Sequence, residues 1–132
     1  MSSPYDSTYA PPAPTLALRL AASGDSPKTG PLTAIVDTGS DATLIPNQYL
    51  EQVEAVDSGD AVLRSALGET REVHLYEVDI HLDSRLVPGV IVVGDDYGAE
   101  IVLGRDVLNK LILLLDGPRN EIEVFDQHPR WH

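Results

Sequence analysis

Residues 33–46, TAIVDTGSDATLIP, constrain this chain more than any other stretch. An apolar run delivers Asp37 into a Thr38-Gly39-Ser40 turn, and a second apolar run leaves it. A carboxylate at the end of a buried strand is aimed by the strand, and a glycine two positions on lets backbone approach it closely. At 132 residues and 42% hydrophobic content, the chain holds one domain with a real core and is too short for two lobes.

Charge and composition remove several classes of function. Nine basic residues against 21 acidic ones give a formal charge of -12, which repels phosphate backbones and anionic membrane surfaces, so nucleic acid is not an expected partner. With no cysteine there is no disulfide framework, thiol nucleophile or thiolate metal site. The N-terminus lacks a basic region followed by an apolar one, and no apolar run approaches the roughly 18 residues of a membrane span. The expectation is a soluble, cytoplasmic chain without a membrane partner.

Residues 1–14 hold four prolines and read as a flexible arm. Period-two alternation in 15–21 places Leu16, Leu18 and Leu20 on one face of a strand, and 32–36 forms its hairpin partner, ending at Asp37. Residues 47–56 suit one or two helical turns before a polar break at 57–60. Segments 61–66 and 70–82 flank Leu67-Gly68-Glu69 as a long hairpin. Residues 83–85 and 88–89 break the chain again. The run 90–93 reads as a strand buried on both faces, 94–98 as a turn, and 101–103 as another buried strand. A short helix fits 105–110, with Asp106 where a carboxylate suits the helix dipole. Residues 111–115 and 121–125 form a last hairpin, and 127–132 a tail. The prediction is a mostly-β domain over 15–126 with about seven to nine strands and one short C-terminal helix.

Asp37 alone can serve as a general base, but amide hydrolysis also needs an acid, and no partner of that kind stands nearby in sequence. A homodimer supplies one without extra length. Two carboxylates meeting beside a two-fold axis cannot both ionise easily, so they share a proton and divide the base and acid roles.

These residues carry a resemblance. AIVDTGSDATLI at 34–45, the hairpin near Gly68 and IVLGRDVL at 101–108 resemble the retropepsin-like, single-domain aspartic proteases across roughly residues 15–125. The final hairpin resembles the cellular and bacterial branch more than the viral one. The resemblance implies a closed acid-protease barrel half that is active as a homodimer on peptide or protein substrates, with neither metal nor cofactor. It implies that two copies of Asp37 hold the attacking water, that Thr38 bonds across the two-fold axis, and that Gly39 offers its carbonyl to substrate backbone. It further implies that the Ser40 hydroxyl tunes the dyad and that Asp41 pairs with Arg105, next to Gly104, while also receiving a substrate amide. Leu67, Gly68 and Glu69 would be the tip of a flap that closes over the peptide.

Each feature also has a plainer reading. Asp-Thr-Gly is a common turn, Arg105-Asp106 could be a solvated helix start, and a glycine in a hairpin needs no function. Asp57-Ser58-Gly59 competes as a second aspartate turn, but it follows a helix-leaning acidic segment. Asp95-Asp96 reads as a turn. His74 and His81 differ by an odd number and so face opposite sides of one strand, while His128 and His132 flank Pro129, so no zinc site is expected. The main alternative is a catalytically silent dimerisation or peptide-binding module. Another is a zymogen-like form with residues 1–14 in the cleft.

Overall fold

The computed structural model describes residues 1–83 and 85–130. His132 and Ser84 therefore lie outside the described residues. In chain order the elements are β1 (Ser2–Pro4), β2 (Thr15–Ala22), β3 (Leu32–Val36), β4 (Leu44–Pro46), α1 (Asn47–Gln52), β5 (Val56–Arg64) and β6 (Thr70–His81). β7 (Leu86–Asp95), β8 (Ile101–Leu103), α2 (Arg105–Leu108), β9 (Ile112–Asp116) and β10 (Glu121–Phe125) follow.

Seven strands run in the order β2-β3-β8-β4-β7-β6-β5. The sheet closes on itself because β2 divides its pairing. Its first half, Thr15 to Leu18, pairs with β3, and its second half, Arg19 to Ala22, pairs with β6. A ring of six strands results, and closure removes the exposed edges an open sheet would carry. Leu16, Leu18 and Leu20 all point into it, each at most 2% exposed, as their alternation requires. Ile45, Ile80, Ile101 and Leu103 fill the same core. The β5–β6 hairpin extends away from the ring, and a separate sheet, β1-β10-β9, stands beside it.

The sequence reading needs correction at several places. Ser2–Pro4 is not a loose arm: it pairs antiparallel with β10, Ser2 opposite Glu123. Among the described residues there are two short helices and not only the C-terminal one: α1 lies within 47–56, where the sequence predicts helical turns, and follows Pro46, whose fixed φ suits a helix start. The polar stretch at 57–60 lies within β5 as a bulge, where the Asp57 carboxylate accepts the Gly59 N–H at 2.8 Å and Gly59 takes φ 99°. Pro88 and Gly89 likewise lie inside β7, at a register shift opposite Val78 and Ile80. Nor is β7 buried on both faces throughout, because Ile91 is 45% exposed. No described helix is long and apolar enough to cross a membrane.

Candidate active site

Asp37 follows β3 directly, and its N–H is held by the Leu103 carbonyl at 3.0 Å, continuing the parallel β3–β8 register. Alternation along β3 buries Ala34 and Val36 and turns Thr33, Ile35 and Asp37 to the other face. The Asp37 side chain then folds over its own turn: Oδ1 accepts the Gly39 N–H at 2.9 Å, and the main-chain oxygen accepts Ser40 N–H at 3.2 Å. A Cβ at Gly39 would sit 3.2 Å from that carboxylate, so the close approach requires glycine or a small displacement. Asp37, Thr38 and Gly39 are all exposed.

Five contacts from α2 and the residue before it grip this loop. Arg105 N–H donates to the Ser40 carbonyl at 2.8 Å, Arg105 Nη1 donates to the Thr38 carbonyl at 2.7 Å, and Arg105 Nη2 meets Asp41 Oδ1. Asp41 is largely exposed, so the ion pair orients more than it stabilises. Gly104 packs so tightly that a Cβ there would come within 2.6 Å of the Ala42 carbonyl carbon. The fifth contact is one the sequence reading missed. Asp106 accepts Thr43 Oγ1 at 2.7 Å and Thr43 N–H at 3.2 Å, while Thr43 Oγ1 accepts the Gly104 N–H at 3.1 Å. Thr43 is fully buried, and a threonine leading into an apolar strand, with a Gly-Arg-Asp corner later in the chain, was the available signal.

Ser40 departs from its implied role. Its hydroxyl donates to the Ala42 carbonyl at 2.7 Å instead of to the Asp37 carboxylate, so it braces the turn.

Leu67, Gly68 and Glu69 form the tip of the β5–β6 hairpin. Ser65 organises it: its carbonyl accepts Gly68 N–H at 3.0 Å, and its hydroxyl accepts the Leu67 and Glu69 N–H groups at 3.3 and 3.2 Å. Gly68 takes φ 83°, which an L side chain rarely adopts, and Leu67 is 88% exposed. Near its tip the hairpin meets a neighbouring turn through Arg71, whose guanidinium lies 5.6 Å from the Tyr97 ring centroid. Tyr97 belongs to a turn built by Asp95, whose carboxylate accepts the Tyr97 and Gly98 N–H groups at 3.0 and 2.9 Å. The competing Asp57 is spent on its own bulge. His74 bonds Asp60 across the hairpin at 2.5 Å, and among the described residues no group of three or more His, Asp or Glu side chains is arranged to hold a metal.

A concavity of about 500 Å³ between Met1–Ser3, Arg19 and His81 does not include Asp37. In one chain, then, the candidate catalytic carboxylate stands on an open surface.

A family model described as retroviral aspartyl protease matches residues 11–116. The fold is similar to that of the equine infectious anaemia virus (EIAV) protease complexed with the inhibitor HBY-793. That match has a TM-score of 0.56 at 19% identity and covers 74% of this chain and 86% of the other. It is also similar to the retroviral protease-like domain of Ddi1 from Leishmania major, with a TM-score of 0.53 at 15% identity over 86% of this chain and 90% of that one. No curated protein sequence matches.

Proposed function

We propose that this chain, which belongs to the retroviral aspartyl protease family, is an aspartic endopeptidase whose active unit is a homodimer. Water held between two copies of Asp37 attacks the peptide carbonyl, one carboxylate accepting its proton and the other, protonated, donating to the developing oxyanion. The leaving nitrogen is protonated as the tetrahedral species collapses, and the dyad returns to one shared proton.

The observation that carries this reading is the exposed Asp37 carboxylate on a loop over-determined by Arg105, Gly104 and the Thr43–Asp106 pair. A turn needed only to reverse the chain does not call for so many tertiary restraints. Openness in the single chain supports the second copy, because a water-excluding site requires a facing wall. Thr38 stands beside Asp37 and is exposed, free to reach across a two-fold axis. For the interface, β9 offers an unpaired edge in its sheet, with consecutive leucines and Leu115 42% exposed. The β5–β6 hairpin serves as the flap over an extended peptide.

Subunit mixing tests the whole reading. Asp37→Asn should abolish cleavage of a mixed peptide library, and excess Asp37→Asn chain added to wild type should poison it through inactive heterodimers. Activity that survives the substitution, or that is proportional to wild-type concentration regardless of added mutant, would refute the shared site. Peptide binding without cleavage would instead leave a binding module.

A further inference from the structure

The face of β3 that carries Asp37 also carries Ile35, which pairs in register with Val102 of β8; both are half-buried, while Ala34, Val36, Ile101 and Leu103 turn to the core. An apolar ledge therefore adjoins the catalytic carboxylate. β2 flanks β3 on one side and β8 on the other. Residues 9–14 are tied down on both sides of this ledge. Pro14 lies on the β2 side, its carbonyl accepting the Val36 N–H at 3.0 Å. Asp6 and Ala13 exchange backbone hydrogen bonds of 2.8 and 3.1 Å and close a loop. At the tip of that loop the Tyr9 hydroxyl donates to Glu100, the residue that precedes β8. Because the core fills the inner face of β3, the segment passes from the β2 side to the β8 side by way of the Asp37 face.

The passing segment reads Tyr9-Ala10-Pro11-Pro12-Ala13-Pro14, with residues 10 to 12 exposed. Prolines have no N–H, so this surface cannot add a substrate strand by backbone pairing. What it presents is apolar side-chain area at a fixed position. Tyr97, three residues before Glu100, is in turn met by Arg71 of β6.

Resting on the reading of Asp37 as catalytic, we propose that residues 5–14 are a latched strap forming one wall of the substrate cleft, with Tyr9 a specificity-determining residue that favours apolar substrate side chains against the Ile35–Val102 ledge. The strap is neither a loose arm nor a removable plug: its near end is fixed by Tyr5 N–H on the Asn120 carbonyl at 2.7 Å.

The test compares full-length wild type, Tyr9→Phe, Glu100→Gln and a Pro11→Gly/Pro12→Gly double variant. Each is presented with a peptide series varied one position at a time, and binding of a statine peptide is measured in parallel. Tyr9→Phe keeps the ring and loses only the donor. It should raise KM about fivefold, the scale of one hydrogen bond, while lowering kcat less. Discrimination between apolar and charged side chains should narrow at one substrate position only. Glu100→Gln retains an acceptor and should fall between wild type and Tyr9→Phe; the proline variant should widen tolerance at the same position. Superimposable profiles for all four proteins, with wild type active, would overturn the strap and leave the protease reading standing. A wild type that neither cleaves any peptide nor binds the statine would overturn both.

Discussion

Arg105 reaches back 67 positions to place Nη1 2.7 Å from the Thr38 carbonyl oxygen, while its Nη2 meets Asp41. One guanidinium thus holds both shoulders of the Asp37 turn, and its planar fork is the reason a lysine is no substitute. Arg105→Lys should lower kcat/KM about tenfold or more, because displacements well under an ångström misalign a catalytic carboxylate. Its stability should fall by less than about 1 kcal/mol, since the Asp41 partner is exposed. Parallel urea melts and peptide kinetics would check the split; equal losses in both would remove the positioning role.

Gly104 makes the opposite prediction. An added methyl would press on the Ala42 carbonyl carbon at 2.6 Å and lie 2.9 Å from the Ser40 carbonyl oxygen, both of them backbone that cannot rotate away. Gly104→Ala should therefore cost about 1–3 kcal/mol in stability and also lower activity, because the displaced backbone is that of the Asp37 loop. Thermal unfolding combined with activity per folded molecule would measure it. A stable, active alanine variant would mean that the loop and the corner do not pack as described.

Much of this was legible before any coordinates. Period-two leucines in 15–21 gave β2 and its buried face, and the apolar run into Asp37 gave β3 and the turn. What escaped had no local signature. Thr43 and Asp106 lie 63 residues apart, and they meet because β8 pairs with β3 and also with β4, Leu44 opposite Val102. Asp57-Ser58-Gly59 and Pro88-Gly89 read as breaks because turn residues usually end strands; here each bulge is satisfied by a nearby carboxylate and the strand continues. The N-terminal residues read as an arm because Pro-rich composition buries little. β1 needs only three residues and their backbone groups to pair, and that pairing is decided by where β10 lies.

Asp79 shows how a buried carboxylate can serve the fold alone. It is 5% exposed, and its two oxygens accept Gly24 N–H at 2.9 Å and Gly89 N–H at 2.8 Å, joining the loop after β2 to the β7 bulge. Removing it leaves two part-buried donors without an acceptor. Asp79→Ala should destabilise the chain by about 1–3 kcal/mol, with activity per folded molecule unchanged. Denaturant midpoints test the first half and active-site titration the second.

The strap carries its own pH signature, and the two groups involved shift in opposite directions. Tyr9 is pushed up to about 12, chiefly by its bond to Glu100 and further by burial and by the charges of Glu100 and Asp6. Asp6 is held below its ordinary 3.8, chiefly because its carboxylate accepts the Thr8 hydroxyl at 2.6 Å and then the Thr8 N–H at 2.9 Å. A raised tyrosine favours folding fully below its ordinary 10.0 and loses that contribution as pH climbs towards 12. A lowered aspartate contributes above 3.8 and loses its share as pH falls through its depressed value. The strap should therefore be held throughout the window between those limits and loosen outside it at both ends. Wild-type minus Tyr9→Phe difference spectra of phenolate absorbance should place the Tyr9 transition near 12, and limited proteolysis within residues 5–14 should rise only beyond the window. A Tyr9 transition at the ordinary 10.0, with proteolysis insensitive to pH, would show that the hydroxyl does not hold Glu100 in solution.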